Sequence, residues 1–299
     1  MGRETNKSRR QASAASAREK AAAARAVQAQ SERRRRAIVI LSSVLVLAVV
    51  AAAIAAIAIN SKSAPQQNIR AVAPASVVSD VSSVPTATLD AIGPGDTSAA
   101  SGPRPVTGTF MTSGGKPELL FIGAEFCPYC AAERWSMAVA LSRFGTLSGV
   151  KLTKSSSTDV DPNTATLDFL DSTYSSKYLT FTPVEAQDRN RKILEKPTTE
   201  QAALWLHYAG QQSYPFLDFA NRYVVTSPTF DPAVLKGLTQ QQIASRLADP
   251  NDSVAKAVDG SANELTAAIC GTTGNQPAKV CTDPAITAIK AKLDAAATG

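Results

Sequence analysis

The 299-residue chain has 31 Lys and Arg against 25 Asp and Glu, a formal charge of +6, with a single histidine, His207, and four cysteines. Residues 1–36 hold 11 of those basic and only 3 of the acidic residues, a net of +8, which leaves the remainder at −2. The basic excess is therefore a property of the tail. This argues against a nucleic-acid partner, which calls for charge on the folded domain, and one histidine excludes a three-histidine zinc site.

The basic tail, 1–36, reads as cytoplasmic. From Ala37 to Ile59 there are 23 residues without a charge; as a helix they span about 34 Å, enough to cross a hydrocarbon core of about 30 Å. Arg33-Arg34-Arg35-Arg36 abuts the start of this run, so the positive-inside rule keeps the N-terminus in the cytoplasm and exports everything after Asn60. A cleaved signal peptide is the competing reading, with Ala56-Ile57-Ala58 as its small-residue site. The run is longer than a signal's apolar region and follows a 36-residue leader, which favours a retained single-pass anchor in the cell membrane.

Residues 60–105 are rich in Ser, Ala and Pro, with prolines at 65, 74, 85, 94, 103 and 105. They read as a linker with one short helix around Val77–Ile92, and the folded domain is expected over 106–299. Its first clear element is Glu118-Leu119-Leu120-Phe121-Ile122-Gly123, an apolar run without alternation, as in a strand covered on both faces. A helix is expected over Ala131–Phe144 and the next strand over Val150–Thr153. Thr198–Tyr208 reads as a helix, and Pro215–Phe219 with Tyr223–Val225 as an antiparallel hairpin. Helices are expected over Thr239–Leu247, Ser253–Cys270 and Pro284–Ala296. Strand, helix and strand, then a hairpin, then helix is α/β order.

Between the first strand and its helix stands Cys127-Pro128-Tyr129-Cys130. Thiol–disulfide exchange needs two sulfurs within bonding reach and one of them ionised. Two intervening residues at the first turn of a helix meet both needs, because the free N–H groups and the helix dipole favour a thiolate on the first cysteine. Pro128 suits that turn, where its missing N–H has no partner to lose. Cys-x-x-Cys also serves zinc, but a structural zinc wants a second close pair, and ten residues stand between Cys270 and Cys281. The redox reading is the one taken, with no metal and no cofactor.

The run Gly123-Ala124-Glu125-Phe126-Cys127-Pro128-Tyr129-Cys130 resembles the active-site segment of the thioredoxin superfamily, and its Pro-Tyr dipeptide is similar to that of glutaredoxins. The layout also resembles an uncharacterised group of membrane-anchored thioredoxin-like proteins catalogued as a domain of unknown function. The resemblance implies a thioredoxin-like α/β fold with an insertion and C-terminal helices, preceded by one transmembrane helix. It further implies a cis-proline facing the cysteines just before a strand. Pro215 fits that place better than Pro228, since an apolar strand follows it. Cys127 and Cys130 become the catalytic pair, and Pro128, Tyr129, Tyr214 and Pro215 the substrate-binding surface. Two departures stand out. Phe121 occupies the position of the superfamily's buried aspartate, so that Glu125, Glu133 or water must relay protons. The 88 positions from Cys127 to Pro215 imply an insertion, about Asp159–Pro197, that caps the fold or shapes a groove.

Cys270 and Cys281 flank a polar loop between two helices and read as a structural disulfide, with a second redox pair as the sharper alternative. His207 reads as a helix-surface or core residue, Trp135 and Trp205 as core, and Glu133 as a residue of an exposed helix face. The function expected is a membrane-anchored thiol–disulfide oxidoreductase. Its partners are the thiols and disulfides of exported polypeptides, and an integral membrane protein resets it. The alternative is a non-catalytic envelope scaffold of the same fold with inert disulfides.

Overall fold

The apolar run that leads into the cysteines forms a central strand, and the rest of the domain is arranged around it. The structure, a computed structural model, describes residues 67, 69–95, 102–210 and 213–298. In chain order the elements are β1 (Ala71–Val72), α1 (Ala75–Ser82), α2 (Thr86–Ile92), β2 (Arg104–Pro105), β3 (Thr112–Ser113), β4 (Lys116–Gly123) and α3 (Pro128–Ser142). There follow β5 (Gly145–Ser148), β6 (Lys151–Lys154), β7 (Ala165–Asp168), β8 (Thr173–Ser176), β9 (Thr180–Glu185) and α4 (Thr199–Ala209). The chain ends with β10 (Phe216–Phe219), β11 (Tyr223–Val225), a 3-10 turn at Pro232–Leu235, α5 (Gln240–Arg246), α6 (Ser253–Thr272), α7 (Ala278–Cys281) and α8 (Pro284–Thr298). The result is a mixed α/β architecture. The tail at 1–36 and the anchor expected at 37–59 lie outside the described residues; among those described, no helix is long and apolar enough to cross a membrane.

The main sheet runs β2–β11–β10–β4, every neighbour antiparallel, with β9 parallel to β4 and β3 hairpinned onto its start. Side chains alternate across β4 with the period of two that a pleated strand imposes. Leu119 and Phe121 enter the larger core with Leu217 and Phe219. Leu120 and Ile122 point the other way, to Val184, Trp205, Phe216 and Val224. Both faces are covered, and each of these large side chains contributes about 1.5–3 kcal/mol by leaving water.

Two expectations are corrected. The strand at 151–154 forms, but in a separate antiparallel sheet, β1–β6–β7; it is not the neighbour of β4. That neighbour is β9, inside the segment taken for an insertion. Pro183 obscures it, because proline cannot donate to a ladder and argues against a strand. Here it does no harm. The Ala186 N–H donates to the Gly123 carbonyl at 2.8 Å, so the alternation turns the nitrogen of Pro183 outward, away from β4.

The second correction concerns 60–105. Its described part carries two helices rather than one, and neither is linker. Val77 and Val81, one helical turn apart on α1, and Leu89 on α2 are 1–5 % exposed and belong to the larger core. Asn263 of α6 donates to the Leu89 and Gly93 carbonyls at 2.8 and 2.7 Å, adding a second donor to the Leu89 oxygen that already accepts the Gly93 N–H and so tying the end of α2 to α6. Gly260 of α6 lets the chain approach so closely that a Cβ there would lie 2.6 Å from the Gly95 Cα. Pro65–Gly299 is accordingly one compact unit.

Cys270, at the end of α6, and Cys281, in α7, are joined in a buried disulfide with Cα atoms 5.6 Å apart. It closes a loop of sequence separation 11, for which the chain-entropy model assigns about 3 kcal/mol. Replacing both cysteines by alanine should lower the thermal midpoint by about 6–12 °C. A shift below about 2 °C in calorimetry would deny the bond that role.

Candidate active site

Cys127 ends the extended approach from β4 and caps α3. Its sulfur accepts the Cys130 N–H at 3.1 Å, its carbonyl accepts the Ala131 N–H, and Pro128 takes the first helical position. The local pattern is that of an N-cap, with sulfur in place of a serine or aspartate oxygen. Both cysteines are free thiols, Cys127 4 % exposed and Cys130 fully buried. Burial pushes the Cys127 thiol up, but hydrogen bonds from the Cys130 thiol and N–H and the charge of Arg134 outweigh it, and the group is lowered overall. Burial and the neighbouring Cys127 push Cys130 well above its ordinary value. The two sulfurs are thus split, the outer one the readier thiolate.

The residues predicted around them are dispersed unequally. Phe126 and Tyr214 pack edge to face at 5.9 Å, and Tyr214 closes the small apolar cluster of Ala124, Phe126, Cys127 and Cys130. Burial and the two sulfurs push the Tyr214 phenol up to about 12. The Tyr214–Pro215 peptide is cis, with Pro215 buried at the entry to β10. Tyr129 stands at the rim, 37 % exposed. Pro228 is half-buried elsewhere, beside Thr229. His207 is on the exposed face of α4, whereas Trp135 and Trp205 are buried. Cys270 and Cys281 sit in the larger core, not in the cluster that holds the other pair.

Glu133 is a further correction. It lies on a buried face of α3, not an exposed one, and accepts the Thr229 N–H at 3.1 Å and hydroxyl at 2.7 Å. Burial raises it to about 7 despite those bonds. One of its oxygens takes both bonds from the 229 loop, and the other is buried without a hydrogen-bond partner. Glu125 is likewise buried and committed, to the Arg70 Nε at 2.5 Å and the Arg189 N–H at 3.2 Å.

An ionic cluster behind the cysteines was not foreseen. Arg134, one turn after Cys130 and fully buried, forks onto Glu185 of β9 with contacts of 2.8 and 2.6 Å. Its guanidinium lies 5.7 Å over the ring of Phe121. The strand beside β4 thus brings a buried carboxylate behind α3, paired with a cation. Asp168 of β7, raised to about 7 by burial and then by Glu185, meets Arg70 at 3.2 Å. Spacing from Cys130 could have picked out Arg134, since residues i and i+4 share a helix face. Nothing local marks Glu185, 51 residues further on. Removing one partner of such a pair leaves a bare buried charge and costs about 3–5 kcal/mol.

At the mouth, the turn 188–193 brings Arg191 over the face of Phe126, 3.7 Å from its centroid. A groove of about 430 Å³, lined by Ile193, Pro197, Trp205 and Tyr214 among others, opens beside it. Among the described residues no group of three or more His, Cys, Asp or Glu is placed to hold a metal.

Asp259 of α6 is fully buried with neither carboxylate oxygen hydrogen-bonded, and burial raises it to about 8. The native state keeps a proton that the unfolded chain releases near pH 4, so this contribution is present at low pH and is lost as pH rises through about 8. Asp259→Asn should therefore raise the thermal midpoint by about 7–14 °C more at pH 8 than at pH 5. Equal shifts at the two pH values would contradict this.

A family model described as "Domain of unknown function (DUF929)" matches residues 105–271, which include the cysteine pair, Arg134, Glu185, Asp168 and Tyr214 but not Arg70. No curated protein and no solved structure matches the chain.

Proposed function

The chain belongs to the DUF929 family, and from its own site we propose a membrane-anchored thiol–disulfide oxidoreductase of thioredoxin-like fold that acts on exported polypeptides. The observation that carries this is the Cys127 sulfur at the N-terminus of α3, lowered while Cys130 is raised. Nucleophile and resolving thiol are thereby distinguished before any client arrives. The parallel pair β4 and β9 joined across α3, with β10 and β11 antiparallel beyond β4, supports the fold. The uncharged run at 37–59 behind Arg33–Arg36 supports the anchor and its orientation. The Cys270–Cys281 disulfide accords with an oxidising compartment.

In the reducing direction, the Cys127 thiolate attacks one sulfur of a client disulfide. A Cys127–client bond forms, and the client's other sulfur leaves as a thiolate and takes a proton. Cys130 then gives up its proton and attacks the Cys127 sulfur, forming Cys127–Cys130 and expelling the second client thiolate, which is protonated in turn. Two electrons and two protons pass to the client. The reverse sequence oxidises a client dithiol, and a second dithiol–disulfide carrier, in this reading an integral membrane protein, restores the starting state.

Burial of Cys127 to 4 % exposure favours one other reading, a scaffold with an inert bond. Equilibration with glutathione buffers separates the two. A Cys127–Cys130 midpoint between about −120 and −270 mV is expected, and one below about −300 mV would mark a structural disulfide.

A further inference from the structure

We propose that Arg134 is a positioning residue for the redox pair, its guanidinium seated on Phe121 and forked onto Glu185 as the buried counter-charge for whichever sulfur is negative. The inference rests on the redox reading of Cys127 and Cys130. Arg134 follows Cys130 by four residues on α3, so the two share a face. Both are fully buried, where charges act through little screening water. The Nε and one terminal nitrogen are held by Glu185, while the Nη1 atom is buried without a hydrogen-bond partner. A buried guanidinium with a donor to spare beside two ionisable sulfurs is arranged to meet negative charge that comes and goes.

Glu185 acts in two opposed ways. Its carboxylate aligns the guanidinium, and its charge offsets part of the field that the sulfurs feel. The other groups around the cluster are Asp168 on β7, Glu125 before α3, Arg70 ahead of β1, and Asp188, Arg189 and Arg191 in the turn after β9. Tyr214 closes the sulfur side and Glu133 bonds Thr229 on another face of α3. Only Arg134 combines full burial, the shared helix face and an uncommitted donor.

The device predicts shifts of opposite sign from two substitutions. In the full-length reduced protein, the rate of Cys127 alkylation by iodoacetamide is followed against pH by mass spectrometry of its peptide. Glu185→Gln frees the guanidinium and keeps the shape of the site, so the midpoint should fall. Arg134→Met with Glu185→Leu removes the pair without leaving a bare charge, and the midpoint should rise by about one pH unit. Arg134→Lys, which keeps the charge, should stay closer to wild type than the apolar pair. An unmoved midpoint in folded Glu185→Gln protein, or the same direction of shift in both variants, overturns the proposal. The midpoints are read whether or not the pair exchanges with glutathione, so failure here and failure of the redox reading are separate results.

Discussion

Cys130→Ala protein should accumulate a stable mixed disulfide at Cys127, and Cys127→Ser protein should lose insulin-reducing activity by at least about a thousandfold. The asymmetry follows from the two environments. Cys127 caps α3 and is lowered, so in the proposed function it is the sulfur that reacts first with an incoming disulfide. Cys130 is fully buried and held protonated until the mixed disulfide forms beside it. Without its sulfur the covalent adduct has no internal exit. Serine at 127 cannot form the adduct, because its hydroxyl is un-ionised near neutral pH and makes no disulfide. Mass spectrometry of the trapped adduct would also identify the client. Full insulin reduction by both variants would remove the cysteines from the mechanism and return the domain to the scaffold reading.

A chain that begins at Val106 should fail to fold, although the composition places the domain boundary there and the family match starts at residue 105. Such a chain lacks Val77, Val81 and Leu89, each nearly or fully buried in the larger core. Burial of each contributes about 1.5–3 kcal/mol, together a large part of the 5–15 kcal/mol that holds a typical domain. Polar groups would be stranded as well. Asn263 loses the Leu89 and Gly93 carbonyls, and Glu125 and Asp168 lose Arg70. Residues 65–299 and 106–299 can be compared by near-UV circular dichroism and thermal unfolding. Cooperative unfolding of both, with midpoints within about 3 °C, would sink the prediction. Arg70 gives the comparison a functional side, because it ties the start of this unit to Glu125, two residues before Cys127.

Much of the α/β framework could be read directly. The unalternating run of β4 and the hairpin of β10 and β11 match the elements formed, and the helices expected over 131–144, 239–247, 253–270 and 284–296 stand within a few residues of those bounds. The elements that differ from the sequence expectation are those whose residue types usually belong elsewhere. Pro183 disguised β9, and Ala, Ser and Pro disguised α1 and α2, although Val77 and Val81 already stood at helical spacing. Glu133 was placed on an exposed face because a charged side chain usually belongs there. Its burial depends on Thr229, 96 residues away.

For the site, the cysteine spacing, Pro128 and the strand before them were enough to place two thiols at the start of a helix, because a cap and a first turn are built from neighbours in the chain. The electrostatic setting was not legible. Arg134 lay within reach of a helical-face argument, but its partner Glu185, the adjacent Asp168 and the arriving Arg70 come from three other segments. Phe121 offers no acid, and the buried carboxylate near it, Glu185, comes from the neighbouring strand together with the cation it pairs with. By itself the sequence determined that two thiols stand at a strand-to-helix turn, since backbone geometry over four residues is local. Only the tertiary structure decided which charges surround them, because burial and pairing depend on side chains that distant segments bring together.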